Sequence, residues 1–513
     1  MLISIFRHPL SIAVFLGLVL AGCASVPLDT PKEASYAIAD TSDTREASVV
    51  AEWMQGHEGE NGFYPLTEGF DAFGARLVLM SLAEVSLDIQ YFLMKPDKAG
   101  AMFAAKMLES ADRGVRVRFL LDDIFTTMPD EKLAVLNDHP NIEVRLFNPI
   151  ARKGIYTFNY IGHFSLANRR MHNKSFTMDN QTAIVGGRNI ADEYFQLETT
   201  GEFIDFDTIC VGPVVKDIST EFDAYWNHKL AIPLEQIYKE DDPEKIAAVK
   251  ADLAKGMAEA GDSIYGESIN TAVMKQLASQ EAGPYVAEAR LTWDRPEKLL
   301  QPVSDDQKIV VGDLREAFRA AESEIFIFTP YLIPRKRGME LIKELRAKGI
   351  RMVIVTNSLA TNNHTAVFSA YQKYRKDMLK AGVELWEARA DAAKIVNEDG
   401  TTELANLTLH TKGVLIDRNL VFAGSLNLDP RSIDINTEMG LLIESPEMGE
   451  LLTSNAEKKI PAMAYRLQLD ENDKLTWHAT LDGKEVVETK EPQTTAGRRF
   501  SAWFQRIVPD SQL

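Results

Sequence analysis

Cysteine is nearly absent from this sequence: Cys23 and Cys210 are the only two in 513 residues. That is too few for a disulfide framework. Basic residues are also short, with 56 Lys and Arg against 75 Asp and Glu, for a formal net charge of −19. Affinity for nucleic acid comes largely from neutralising phosphates, so this balance counts against such a partner. No apolar run approaches the roughly 20 residues of a spanning helix. The run from Leu10 to Gly22, preceded by Arg7, is shorter. With 45% apolar and 26% charged residues the composition is that of a globular chain, not a disordered one. Its length exceeds what one core usually supports, so two domains or two fused halves are expected.

The N-terminal run ends in Leu20-Ala21-Gly22-Cys23, which resembles the lipobox of bacterial lipoproteins. The resemblance implies a signal peptide over residues 1–22, cleavage before Cys23, and acyl chains on its thiol and amine. Several chains on one residue anchor stably where one does not. An ordinary signal anchor is the alternative. Ala24 follows, not the Asp that resembles an inner-membrane retention signal, which favours the periplasmic side of a bacterial envelope and its outer membrane. With Cys23 acylated, Cys210 has no intramolecular partner and is expected to be a buried thiol. Residues 23–48, rich in Ser, Thr, Asp, Pro and Ala, read as a lipidated tether, a flexible coil reaching roughly 25–30 Å.

The body repeats itself. Leu87 to Leu93 alternates as a strand, Ala99 to Arg113 has a helical pattern closed by Gly114, and Val115 to Leu121 alternates again. Ile325 to Phe328, a helix to Lys348, Gly349 and Ile350 to Val355 follow the same plan, as do Asn141 to Leu146 and Gly382 to Trp386. Such units in series predict an α/β sandwich that has been duplicated, with halves at residues 49–230 and 304–462. Residues 231–303 read as a connector with a helix opening at Asp242-Pro243. Residues 463–513 read as a hairpin turning at Asp482-Gly483 and then a segment with Arg498, Arg499, Phe500, Trp503, Phe504, Arg506 and Ile507. Its amphipathic spacing fits packing onto the body or lying on a membrane surface.

The chemistry lies in a motif that occurs twice. His172-Asn173-Lys174, Asp179 and Gly186-Gly187-Arg188-Asn189 match His410-Thr411-Lys412, Asp417 and Gly424-Ser425-Leu426-Asn427. In both copies four residues separate Lys from Asp and six separate Asp from the first Gly. Each copy reads as a hairpin, in which positions i and i+2 share a face. His172 and Lys174 therefore project together, as do His410 and Lys412. Asp179 and Asp417 fall at the turns, where Asp bonds nearby backbone, and are expected to hold the hairpins. The glycines permit close backbone approach, and Asn189 and Asn427 add donors.

Two such faces brought together make a pocket with two imidazoles, two ammonium groups and two carboxamides, a set suited to a phosphodiester. The lysines and asparagines would stabilise charge on the non-bridging oxygens. One neutral imidazole can attack phosphorus while the other, protonated, donates to the leaving oxygen. An ordinary imidazole pKa lets the two hold opposite states near neutral pH. Aligning the segment Asp205 to Pro213 with Glu438 to Pro446 places Asp205 opposite Glu438, each expected to bond the far nitrogen of one histidine, as the third member of a triad does. A solvated carboxylate is the plainer reading. His57, His139, His163, His228, His364 and His478 are taken as structural. A metal site is the main rival for clustered His and Asp, but the neighbouring lysines would repel a cation, so no metal and no cofactor are expected.

The paired segments are the HKD signature, and the chain from about Phe63 to Met463 resembles the phospholipase D superfamily. The resemblance implies two fused α/β sandwich domains about a pseudo-twofold axis, with one active site at their interface. It also implies a phosphohistidine intermediate, with His172 as nucleophile and His410 as general acid, later base. Gly187 departs from the motif, where the second copy has Ser425. Leu166 to Ser175, Ile184 to Ile190, Asn141 to Pro149, Thr329 to Pro334 and Thr356 to Ala360 resemble the C-type bacterial cardiolipin synthases. That family implies phosphatidyl transfer between phospholipids at a membrane; phospholipase D hydrolysis to phosphatidic acid is the alternative. Asn363 and Phe368 stand where the family suggests an acidic residue and a histidine, which leaves the acceptor open, as is any helper protein.

Overall fold

The computed structural model describes residues 26–507, apart from 154–158, 161, 163, 197–200, 262–263, 272, 276–282, 301–302, 397–401 and 482. The lipobox with Cys23, as well as His163 and Asp482, lie outside the described residues.

Alternating apolar positions build two sheets with the same strand order. Across the first run Asn61–Leu66, Asp207–Val211, Thr182–Gly186, Ser175–Met178, Ser86–Tyr91, Arg116–Asp122, Ile142–Phe147 and Ala231–Pro233. Across the second run Tyr285–Trp293, Met439–Glu444, Leu420–Gly424, Gly413–Ile416, Glu324–Phe328, Arg351–Asn357, Glu384–Ala388 and Ala464–Leu469. The sequence of antiparallel and parallel pairings is identical at every step. The two equivalent first strands pair with each other antiparallel, Asn61 opposite Ala287, which joins the halves as a local twofold requires.

The first parallel step of each half is closed by a helix, Lys98–Asp112 or Arg335–Ala347. Gly114 and Gly349 end these helices at φ +99° and +87°, a conformation an L side chain resists. One face of each sheet packs on its crossover helices; the other carries the helix Val214–Trp226 or Pro446–Met463 and meets its twin. Phe63, Val185, Cys210, Phe326, Leu415 and Leu441 share that inter-sheet core. Cys210 is fully buried and its thiol pKa is pushed up by burial. The C-terminal hairpin forms as expected, with Leu475–Leu481 against Lys484–Glu488.

Two expectations are corrected. The span read as a flexible tether is a bound strap over much of its length. Ser35 and Glu33 carbonyls accept from Arg118 and Arg145 at 2.8 and 2.7 Å, Ala37 N–H donates to Asp223 at 2.9 Å, and Lys32 donates to the Ala231 carbonyl at 2.6 Å. The helix Arg45–Trp53, capped by Thr44, already belongs to the body. A shortage of apolar residues suggested freedom, but the strap is held by its backbone polar groups and the Lys32 ammonium, which composition does not reveal. The connector boundary at 303 is also displaced, because Tyr285–Trp293 is an integral strand of the second sheet. The expected helix is present as Pro243–Gly261.

Candidate active site

The two motif hairpins form as the spacing dictates, Ser175–Met178 with Thr182–Gly186 and Gly413–Ile416 with Leu420–Gly424. Asp179 and Asp417 sit at the turns with φ +49° and +53°. Asp179 accepts from the backbone N–H groups of Glu84, Val85 and Ser86 at 2.8–2.9 Å. Asp417 accepts from those of Glu322, Ser323 and Glu324 at 2.8–2.9 Å. Both carboxylates therefore tie a turn to the start of the neighbouring strand, at the hairpin end away from the imidazoles. They hold the hairpins and do not enter the pocket.

The histidines meet carboxylates of the opposite half. His172 Nδ1 lies 2.8 Å from Glu438 Oε2, and His410 Nδ1 lies 2.6 Å from Asp205 Oδ2. Their backbones are exchanged too: His172 N–H donates to the Thr437 carbonyl at 3.0 Å and His410 N–H to the Ile204 carbonyl at 2.8 Å. Neither half alone holds a finished imidazole. With Nδ1–H directed at a carboxylate, Nε2 is left as the reactive nitrogen.

The flanking lysines share one anchor, the carbonyl of their own histidine, and Lys412 Nζ also lies 2.7 Å from His410 Nδ1 and 3.2 Å from its Nε2. Lys174 Nζ donates to the His172 carbonyl and Lys412 Nζ to the His410 carbonyl, each at 2.5 Å. Both side chains are buried. Asn189 and Asn427 are buried as well, and each has a carboxamide Oδ1 with no hydrogen-bond partner among the described residues. Unpaired buried polar atoms at twofold-equivalent positions suit a polar ligand between the halves. Apolar rings fix the imidazole planes: Phe92 meets His172 edge-on at 4.7 Å, while Phe203 stacks on His410 at 5.2 Å and Tyr194 meets it edge-on at 4.9 Å.

Electrostatics corrects one expectation. The imidazoles do not hold opposite protonation states at rest. Burial, then the ammonium groups of Lys412 and Lys174, lower His410 to about 3, and burial with Lys174 and Lys412 lowers His172 well below its ordinary value. Burial lowers Lys174 to about 7 and Lys412 to about 8. The lysines each act on both histidines, so the two faces share one cleft. The carboxylates differ: burial raises Glu438 to about 7, whereas burial of Asp205 is outweighed by Lys412 and His410, which hold it below its ordinary value. Asp205 thus stays ionised beside His410.

The family match follows this geometry. Residues 77–226 and 314–460 match the family described as cardiolipin synthase, PLD-like domain. The chain belongs to that family. Cardiolipin synthase C of Escherichia coli (strain K12) is 35% identical over 479 residues, covering 91% of this chain and 98% of that protein. Cardiolipin synthase A of Pseudomonas syringae pv. syringae is 25% identical over 383 residues, covering 74% of this chain and 64% of that protein. The crystal structure of phosphatidylserine synthase from Haemophilus influenzae Rd KW20 has a TM-score of 0.53 at 14% identity, covers 82% of this chain and 92% of that one, and shares the fold. The expected architecture of two phospholipase D-like halves is the architecture found.

Several contacts of this PLD-like site were not assigned from sequence. Ser425 donates to Glu438 Oε2 at 2.5 Å. Asp294, paired with Lys298 at 2.7 Å, accepts from the Glu438 N–H at 3.2 Å. Arg431 reaches across the halves to Asn168 at 2.8 Å and adds positive potential at His172. The Ser425 for Gly187 exchange was the visible signal for the first. Asp294 and Lys298 lie at i and i+4, a spacing too common to point anywhere. Asn363 accepts from the Tyr331 hydroxyl at 2.7 Å, and Phe368 is buried in the core. Among the described residues no helix is long and apolar enough to cross a membrane, and no cluster of His, Cys, Asp and Glu suits a metal ion.

Proposed function

We propose that the protein is a phosphatidyltransferase that makes cardiolipin or a related phospholipid through a phosphohistidine. The observation that carries this reading is the reciprocal pairing of His172 with Glu438 and His410 with Asp205 across one cleft.

His172, neutral and aimed by Glu438, attacks the phosphorus of a donor phospholipid through Nε2. A phosphodiester entering the cleft brings a negative charge that offsets Lys174 and Lys412, so His410 can take up a proton beside ionised Asp205. As the P–N bond forms and the P–O bond breaks, that proton passes to the departing alcohol oxygen. The lysine ammonium groups balance the charge on the non-bridging oxygens. In the second half His410 accepts the proton of an acceptor hydroxyl, that oxygen bonds to phosphorus, and the P–N bond breaks. A phosphatidylglycerol hydroxyl as acceptor yields cardiolipin; water yields phosphatidic acid. Sequence resemblance assigns His172 as nucleophile and His410 as acid. The ionised state of Asp205, suited to an imidazolium neighbour, supports that division.

The lipobox adds a location: the protein is lipidated at Cys23 on the periplasmic side of a bacterial envelope, with the outer membrane favoured. An anchored site meets lipid headgroups at high effective concentration. The test is labelled phosphatidylglycerol, with and without phosphatidylethanolamine, followed by product analysis. Cardiolipin is expected, and phosphatidic acid alone would replace transfer with hydrolysis. His172→Ala and His410→Ala should each abolish turnover, and activity retained by either would overturn the mechanism.

A further inference from the structure

The C-terminal helix Ala496–Phe504 has its amphipathicity inverted. Phe500, Trp503, Phe504 and Ile507, spaced i, i+3, i+4 and i+7, form one apolar stripe. A surface helix ordinarily turns such a stripe inward. Here the four side chains are 64%, 59%, 57% and 76% exposed, while small Ala502 is the residue buried against the body.

Polar contacts hold the helix in this orientation. Arg498 donates to the Asn362 carbonyl at 2.7 Å, Arg506 donates to Gln372 Oε1 at 2.7 Å, and Arg499 turns back to the Thr494 carbonyl at 2.6 Å. Arg498 and Arg506 thus tie the helix to the body, and the rings that could have docked face out. Single exposed apolar residues need no explanation, but a contiguous aromatic stripe does.

The helix that carries the stripe docks at both ends of the helix Thr365–Tyr371. Asn362 and Gln372 bracket the helix Thr365–Tyr371, whose cap residue His364 lies against Tyr331 at 5.4 Å. Arg431, at the His172 face, also acts on His364.

We propose that this stripe is a bilayer-docking surface, which inserts among lipid acyl chains and seats the catalytic cleft on the membrane that holds its substrate. The exposed rings are flanked by Arg498, Arg499 and Arg506, whose bonds to neutral oxygens of Asn362, Thr494 and Gln372 leave their charge uncancelled, a combination that suits the interfacial zone of a membrane with anionic headgroups. The inference rests on phospholipids being the substrate. It explains why the helix is held outward by hydrogen bonds when folding alone would favour the opposite face.

The test uses the full chain in phosphatidylglycerol vesicles containing lipids brominated on their acyl chains. The fluorescence difference between wild type and Trp503→Phe reports Trp503 alone, and strong quenching is expected. An unquenched Trp503 overturns the proposal and leaves the stripe to a protein partner. Trp503→Ser with Phe504→Ser should lower turnover of vesicle phosphatidylglycerol at least tenfold and leave turnover of a short-chain, monomeric phosphatidylglycerol within twofold. Equal loss on both substrates, or no loss on vesicles, rejects a docking role. If the wild type turns over neither lipid but Trp503 is quenched, the docking surface stands and the substrate assignment falls.

Discussion

A side chain at Gly187 has no room because Asp205 closes on it: a Cβ there would lie 2.2 Å from Asp205 Oδ1. The twofold-equivalent position holds Ser425, whose hydroxyl donates to Glu438 at 2.5 Å. The departure in the motif is thus compensated by the shape of the site. A serine supports the longer carboxylate, and a glycine makes way for the shorter one, whose own Oδ1 accepts from the Phe206 N–H at 2.8 Å.

Gly187→Ser, which would make the two copies alike, should therefore harm the enzyme. The added side chain displaces Asp205 and removes the partner that lets His410 carry a proton. A loss in kcat on the order of 10²-fold or more is expected, since misorienting a catalytic imidazole is costly. Ser425→Gly loses only one hydrogen bond to a carboxylate, worth about 1.5–3 kcal/mol, and should cost less. Wild-type kcat for Gly187→Ser would show that Asp205 is not needed where it stands.

The lowered lysines predict an alkaline limb in an unusual place. A lysine whose folded pKa is depressed loses its charge earlier as pH rises. With Lys174 near 7 and Lys412 near 8, kcat/KM should fall as pH rises through 7 to 8.5, far below the ordinary lysine range near 10.4. Lys174→Arg keeps its charge throughout and should move the onset of that limb upward, toward the value near 8 of Lys412. A wild-type profile flat to pH 9.5 would contradict the burial argument.

The turn aspartates should behave as structural residues. Asp179→Ala leaves three backbone N–H groups without their acceptor, at a cost of at least about 2 kcal/mol in urea unfolding. Partial burial raises the Asp417 carboxyl, but bonds from the Ser323 hydroxyl and three backbone N–H groups hold it below its ordinary value on balance. Its contribution to stability is then present above the ordinary carboxylate pKa and is lost as pH falls through the lowered one. The difference in urea midpoint between wild type and Asp417→Asn should accordingly shrink in acid. A variant of either residue with unchanged stability but no turnover would place it in the chemistry instead.

Much of this was legible in the residues themselves. The duplicated hairpins, the i, i+2 pairing of His with Lys, the turn role of Asp179 and Asp417, and the alignment of Asp205 with Glu438 all follow from spacing. Strand pleat and turn chemistry are local, so a short stretch of chain is enough to set them.

Other features depend on partners far along the chain. That Glu438 serves His172 and Asp205 serves His410 could not be read from repeats, because each bond crosses 266 or 205 residues and the alignment is blind to which half faces which. The bound strap before Arg45 escaped for the same reason, its partners Arg118, Arg145 and Asp223 being remote.

By itself, then, the order of residues determined the two α/β halves and the set of groups each brings to the cleft, because periodicity and turn chemistry act over a few residues. Only the tertiary structure decided the exchange of carboxylates, the neutral resting imidazoles and the outward aromatic stripe. Those depend on burial and on which surfaces meet, and both arise only when the whole chain packs.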